Sequence, residues 1–309
     1  MLLNGNIRSI GKKIPFGKNI ENGFRRLIYL THYKNFLIKN NIDENKLLIL
    51  GTIARSGTHY MMILLSNYIN YLSGSRKPIN PTEMNLMLPN NWHLSYMSYR
   101  NIPLGPYQTE NFLSPDKRVD LINVSDITRS HSIFQKIFWK NGNILHLYRN
   151  PLDYSVSLFN YKHRKRISKE NPAVSPQEVL EQKFENYINM YKSYAKAAKS
   201  GKYRIFRLPY ELLIKNPEYY LSAIIDWLGV ESDPIAIKHA VLASSIKKVK
   251  LAEKEGSKVN PAAKDLEGSF ISSGQIGQWK KYYSNSDFKF WLEKFSNHGV
   301  DLKSFILED

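Results

Sequence analysis

Short apolar runs alternate along this chain with stretches whose apolar residues return at helical spacing. Residues 47–50 (LLIL) form an apolar run closed by Gly51, the length of a strand buried on both faces. Residues 52–57 are then small and polar. From Thr58 onward Met61, Met62, Leu64, Leu65 and Ile69 recur near helical spacing, which predicts strand, tight turn and helix in succession. Residues 121–124 (LINV) predict another strand and residues 143–148 (NILHLY) a third. Pro151 then suits the first position of a helix, with Asp153 in its first turn, where negative charge is favoured. Residues 177–199 are periodic up to Gly201, and residues 234–255 read as one helix ending at Gly256. A basic N-terminal helix is expected over 24–40, ahead of the core. Residues 78–115 are rich in Asn, Pro and aromatics without clean periodicity and predict a loop-rich insertion, while 257–271 predict a mobile connector. Strands alternating with helices in this way predict an α/β fold, a central parallel sheet flanked by helices.

The turn after the first strand carries candidate chemistry. A helix N-terminus offers N–H groups without intrahelical partners, and its dipole favours an anion. Gly57 permits close backbone approach, Ser56 and Thr58 add hydroxyls, and Arg55 adds a permanent cation with a planar donor fork. The segment reads as an oxyanion cradle. It lacks the Gly-Lys-Ser/Thr of the nucleotide-triphosphatase P-loop, since Ser56 stands in the sixth place counted from Gly51. That weakens a magnesium-dependent kinase reading and leaves open a plain Gly/Ser turn. Arg149 should emerge at the carboxyl end of its strand, with Ser157 about two turns along the next helix. In an open parallel sheet these ends share one ligand-binding edge, so two anion sites there suit a nucleotide phosphorylated at both ends.

Together these segments resemble the sulfotransferases that use 3′-phosphoadenosine 5′-phosphosulfate (PAPS), from about Lys46 to about Tyr283. Arg55-Ser56-Gly57-Thr58 is similar to the family's 5′-phosphosulfate loop, and Arg149-Asn-Pro-x-Asp-x-x-x-Ser157 to its 3′-phosphate motif. Residues 203–213 (YRIFRLPYELL), Asn216-Pro217 and 224–229 (IIDWLG) resemble the strand, Tyr-Glu pair and Leu-Gly helix end that follow. Gly274-Gln-Ile-Gly277-Gln-Trp279-Lys280 resembles the loop that closes over the 3′-phosphate. The resemblance implies a P-loop NTPase-like sulfotransferase fold, one domain over 1–309 with an N-terminal extension over 1–45. It implies PAPS as co-substrate, no metal, and direct transfer to a hydroxyl.

Site roles follow from the same resemblance. Arg55 takes the place of the family's catalytic Lys or Arg and should stabilise charge on the leaving phosphate, though a guanidinium cannot donate a proton at neutral pH. Some carbohydrate sulfotransferases carry Arg here, which leans toward a glycan acceptor. Arg129 and His131, in Arg-Ser-His, take the places of the family's basic residue and general base. The alternative for this segment is a helix cap, with Ser130 or Ser132 as the N-cap of 133–140 and His131 solvated. Glu83 or Glu110 could serve as base instead. Tyr60 stands at the adenine-stacking position and Tyr210 completes the adenine pocket. His59 replaces a small hydroxyl residue and either contacts the phosphate or is an exposed loop histidine. Ser272 and Ser273 replace two basic residues before Gly274, so that Arg149 would carry more of the 3′-phosphate contact, helped by Lys247 or Lys248.

Composition adds limits. Over 309 residues the net charge is +17, which implies an anionic partner. PAPS accounts for part of it. The rest fits an acidic glycan, peripheral contact with a lipid surface or nucleic acid, without a motif for specific nucleic-acid recognition, or simply a solvated basic surface. The run Lys162-His163-Arg164-Lys165-Arg166 is a candidate docking point for an acidic acceptor. Cysteine is absent, which excludes disulfides and thiolate metal sites. No apolar stretch nears bilayer-spanning length, and residues 1–20 lack a signal-peptide core, so a cytoplasmic protein is expected. A sulfotransferase-like fold that only binds polyanions is the non-enzymatic alternative.

Overall fold

The computed structural model describes residues 34–35, 37–38, 41–88, 116–134, 136–164, 175–257, 259 and 274–306. Four strands form one sheet: β1 (Leu47–Thr52), β2 (Asp126–Ser130), β3 (Asn143–Tyr148) and β4 (Ile205–Pro209), in the order β2-β1-β3-β4. All three pairings are parallel. Between and after them lie α1 (Thr58–Leu72), α2 (Pro81–Met87), α3 (Lys136–Trp139), α4 (Pro151–Arg164), α5 (Pro176–Lys199), α6 (Tyr210–Lys215), α7 (Pro217–Trp227), α8 (Pro234–Ala243), α9 (Ile246–Lys254) and α10 (Asn285–Ser296).

The apolar run of β1 is continuous because both of its faces are covered. Leu48 and Leu50 join α1, α7 and α8 in one core. Leu47 and Ile49 face the other way, against Trp139 and Tyr194. On α1 the residues Met61, Met62, Leu64, Leu65, Tyr68 and Ile69 are all fully buried, each worth about 1.5–3 kcal/mol of transfer free energy. A third cluster, from α4, α5 and α10, holds Leu152, Phe184, Tyr187, Trp291 and Phe295. This sheet order makes the chain leave β1 toward β2 and then cross back to β3 on the far side. The crevice between the carboxyl ends of β1 and β3 is therefore the topological switch point, where open parallel sheets bind ligands.

Three expectations are corrected. Residues 121–124 are not a strand: they end a 3-10 helix (Lys117–Ile122) capped by Asp116, followed by Asn123 at φ 56. The strand is the next, more polar segment, Asp126–Ser130, buried at every position and paired along β1. Short apolar runs do not separate strand from buried turn. The helix expected over 234–255 is two helices, broken at Ser244 and Ser245; the Ser244 hydroxyl is buried and accepts from Asn67 Nδ2 at 3.1 Å. Neither Ser130 nor Ser132 caps a helix, because Ser130 ends β2 and its Oγ accepts the Ser132 N–H at 3.1 Å. Most of the N-terminal helix expected over 24–40 and most of the 78–115 insertion, with Glu110, lie outside the described residues, as do 260–271 and Ser272 and Ser273. Among the described residues no helix is long and apolar enough to cross a membrane.

Candidate active site

The turn after β1 is built around two left-handed residues, Arg55 at φ 66 and Gly57 at φ 85. A side chain on Gly57 would be doubly unfavourable, since a Cβ there would lie 2.4 Å from Tyr210 Cδ2. Ser56 is fully buried, and its hydroxyl has no hydrogen-bond partner among the described residues. The first-turn N–H groups of α1 follow directly, as an anion cradle requires. Arg55 reaches across to α4, where its Nε donates to Ser157 Oγ at 3.3 Å and its guanidinium lies 4.7 Å from the Tyr161 ring centre. The two halves expected from the sequence are thus in direct contact.

Arg149, immediately after β3, is almost wholly buried. Its Nη1 donates to the Arg55 carbonyl at 3.4 Å and its Nη2 to the Gln275 carbonyl at 2.8 Å, so it joins the β1 turn to the C-terminal loop. Its guanidinium lies 4.6 Å from the Tyr210 ring centre, and its Nε has no partner among the described residues. Tyr210 links the same three segments: its ring covers Gly57, and its hydroxyl donates to the Gly274 carbonyl at 2.9 Å. Gly274 is itself left-handed, with no room for a Cβ against Ile246.

Several supports were not foreseen from the sequence. Asp153 does more than complement the dipole of α4. Its Oδ2 accepts the Gly277 N–H at 2.7 Å and its Oδ1 the Trp279 N–H at 3.0 Å, while Oδ2 stands 4.0 Å from Arg149 Nη2. One buried carboxylate therefore fixes the C-terminal loop and faces the arginine. Glu211 Oε1 accepts the Asn150 N–H at 2.9 Å, and the Tyr187 hydroxyl donates to the Arg149 carbonyl at 2.5 Å. Burial pushes the Glu211 carboxyl up to about 7, against the opposing pull of Arg149 and the Asn150 N–H. The Tyr-Glu pair of residues 210 and 211 was the available signal, but it named no partner for the acid.

His131 follows β2 at the same sheet edge. Its Nδ1 lies 2.8 Å from the Thr52 carbonyl and 2.9 Å from Thr52 Oγ1, which also accepts from Thr58 Oγ1 at 2.8 Å. A carbonyl can only accept, so Nδ1 carries the hydrogen and Nε2 keeps its lone pair. Burial, then Arg129, lowers the His131 pKa to about 4; the Thr52 carbonyl opposes this and Arg55 adds to it. The imidazole is therefore neutral at physiological pH. Arg129 is buried in β2, and its Nη1 donates to His59 Nε2 at 3.0 Å. That bond makes His59 the Nδ1–H tautomer, and burial with Arg129 and Arg55 holds its pKa well below 6.5. His59 is half-buried in the first turn of α1 and not an exposed loop residue. Tyr60 packs beside the main core, and burial with the nearby Tyr210 raises its hydroxyl to about 12.

The alternative bases and helpers fare differently. Glu83 completes a capping box on α2, its Oε2 accepting the Asn80 N–H at 2.8 Å, and pairs with Lys77 at 3.5 Å. Lys247 and Lys248 are exposed on α9. Gln278 donates from Nε2 to the Gln275 carbonyl at 3.1 Å and so staples the C-terminal loop to itself.

A family profile described as a sulfotransferase domain matches residues 45–295. The chain belongs to the sulfotransferase family. With that membership comes PAPS as the source of the transferred group. Among solved structures, this sulfotransferase is similar to retinol dehydratase in complex with androsterone and the inactive cofactor PAP. The two are 16% identical with a TM-score of 0.59, covering 86% of this chain and 83% of that one. Retinol dehydratase with retinol and PAP matches at 16% identity and TM-score 0.59, over 89% of this chain and 88% of that one. Mouse sulfotransferase SULT7A1 with PAP matches at 16% identity and TM-score 0.55, over 82% and 84%. At such identities the likeness carries the fold, which agrees with the parallel sheet and its flanking helices.

Proposed function

We propose that this sulfotransferase moves the sulfuryl group of PAPS directly to an acceptor hydroxyl, with His131 as general base. In this reading the 5′-phosphosulfate end takes Ser56, Gly57, Thr58 and the first-turn N–H groups, beside Arg55 and His59. The 3′-phosphate takes Arg149 and Ser157, with Ser273 and Gly274 from the C-terminal loop. Tyr60 and Tyr210 flank the adenine. The observation that supports this most is the pair of buried donors left without described partners, Ser56 Oγ in one motif and Arg149 Nε in the other. Leaving a buried donor unsatisfied costs about 1–3 kcal/mol, and oxyanions at these two places would relieve both. The structures of retinol dehydratase and SULT7A1 hold PAP, a nucleotide with phosphates at both ends, which supports the same assignment.

In the transfer, the sulfur–oxygen bond to the leaving phosphate breaks as a bond forms from sulfur to the acceptor oxygen. The acceptor proton passes to His131 Nε2, and the products are the sulfate ester and adenosine 3′,5′-bisphosphate. Arg55 offsets charge developing on the leaving phosphate and Arg129 the charge on the moving group, which is how positioned cations lower such barriers. Arg55 favours a glycan acceptor, whereas retinol dehydratase was solved with androsterone and retinol. Labelled PAPS offered with a panel of glycans, phenols and lipophilic alcohols tests the proposal. The expected result is label in at least one acceptor, transferred roughly 10²–10⁴-fold more slowly by His131→Ala. Failure to bind adenosine 3′,5′-bisphosphate, with salt-sensitive binding to a sulfated polysaccharide retained, would replace it with the polyanion-binding alternative.

A further inference from the structure

Helix α5 braces Arg149 through the Tyr187 hydroxyl, and two adjacent residues further along it grip the loop that carries His131. The Tyr194 hydroxyl donates to the Ser132 carbonyl at 3.1 Å, and Ser193 Oγ accepts the Phe134 N–H at 3.0 Å. One turn of α5 thus holds the loop at the residue after His131 and again two residues further on.

Tyr194 is itself immobilised. It is fully buried. Its ring lies 4.1 Å from the His146 ring at an interplanar angle of 7°, and 5.9 Å from the Trp139 ring at 17°. The Phe134 ring meets it edge-on at 5.9 Å. Beneath it is Gly51, where a Cβ would lie 2.5 Å from the Tyr194 hydroxyl oxygen. Gly51 has an ordinary strand conformation and is paired with Ser130 and His146 on either side. Its lack of a side chain is therefore explained by the space that Tyr194 occupies and not by backbone geometry. A tyrosine that needs a glycine in the central strand, and uses its hydroxyl on a loop carbonyl, is more specific than core filling requires.

The contacts form a closed circuit. Thr52 holds the His131 imidazole through Nδ1, the chain runs on to Ser132, Ser132 is held by Tyr194, and Tyr194 seats on Gly51, the neighbour of Thr52. Both ends of the circuit are fixed to consecutive residues of β1. We propose that Tyr194, supported by Ser193 and seated on Gly51, is a positioning residue that sets the place of the His131 imidazole at the sheet edge. This rests on the reading of His131 as the base. Tyr194 touches neither nucleotide site, so its effect passes through the loop alone.

Tyr194→Phe removes the hydroxyl and keeps the ring stack, so folding should survive. Ser193→Ala is the companion variant should it not. The readout is the imidazole resonance of His131 titrated by NMR, assigned with His131→Asn, alongside calorimetry with adenosine 3′,5′-bisphosphate and the melting temperature. In the wild type His131 should titrate near 4; in either variant it should move toward the ordinary 6.5 as the loop loosens and water enters. Bisphosphate affinity should stay within about twofold while release of bisphosphate from labelled PAPS falls about tenfold, the scale of a modest misplacement. A role in stability alone would lower the melting temperature and leave the His131 titration in place. An unmoved titration in both variants would overturn the proposal, whereas a wild type that fails to bind the bisphosphate would overturn the functional reading instead.

Discussion

The two ends of the candidate site are built from opposite materials. Behind Arg149 stand buried carboxylates: Asp153 at 4.0 Å, bonded to the C-terminal loop, and Glu211, bonded to the Asn150 N–H. Around His131 the fixed groups are hydroxyls, a carbonyl and arginines: Thr52, Thr58, Arg129 and Arg55. Under the proposed function the difference is one of task. A site that must hold a phosphate gains from a cation locked in one orientation, and buried charge needs partners and hydrogen bonds to be held there. Around His131, burial and then Arg129 favour the uncharged imidazole, the form that can take up a proton. In the proposed reading the acids brace the 3′-phosphate grip, while burial, with the arginines, keeps the base neutral.

The contrast predicts separable losses. The largest concerns chemistry: His131→Ala should lower turnover by roughly 10²–10⁴-fold, the usual weight of a general base, with bisphosphate affinity nearly unchanged by calorimetry. Normal turnover in that variant would place the base elsewhere. Next, Arg149→Ala should weaken adenosine 3′,5′-bisphosphate binding by about 100-fold, from charge-assisted bonds worth about 1.5–3 kcal/mol each; unchanged affinity would break the comparison at its other end. Asp153→Asn replaces one acceptor facing the Gly277 and Trp279 N–H groups with an N–H₂ donor. It should cost about 10-fold in bisphosphate affinity, roughly one lost bond, and little in turnover at saturating PAPS.

A smaller effect is a pH signature of the grip. The Glu211 carboxyl is raised from 4.5 to about 7 in the folded chain. Below pH 4.5 both folded and unfolded chains hold this proton. Between 4.5 and about 7 the unfolded chain releases it while the folded chain keeps it, so stability falls as pH rises through that window. Glu211→Gln mimics the protonated acid and should flatten this loss, by at most roughly 3 kcal/mol at pH 8, read from denaturant unfolding at pH 5 and pH 8. An equal slope in both proteins would remove Glu211 from the account. Smallest of all, Glu83→Gln touches the cap of α2 and the exposed pair with Lys77, and should cost less than about 1 kcal/mol of stability with turnover intact.

How much of this was legible beforehand depended on whether the information is local. The strand over 143–148 appears with the expected limits, and the β1 strand and the start of α1 lie where apolar spacing puts them. The tight turn before α1 was readable because Gly57, at φ 85, acts through its own backbone. The strand carrying Arg129 was misplaced because DITRS is polar, and only pairing along β1 buries it. Distant supports had no local trace at all. Asp153 bonding to Gly277, and Tyr194 filling the space above Gly51, join residues far apart in the chain. Gly51, expected to close the strand, lies within it instead, as a glycine can where another group approaches closely.

The central claim is that a single adenosine bisphosphate bridges the Arg55–Thr58 turn and Arg149. A crystal structure with adenosine 3′,5′-bisphosphate tests it most directly. The account predicts the 5′-phosphate against Ser56 and Thr58 at the start of α1 and the 3′-phosphate against Arg149 Nε and Ser157. A nucleotide bound elsewhere, or lying against only one of these two places, would contradict it.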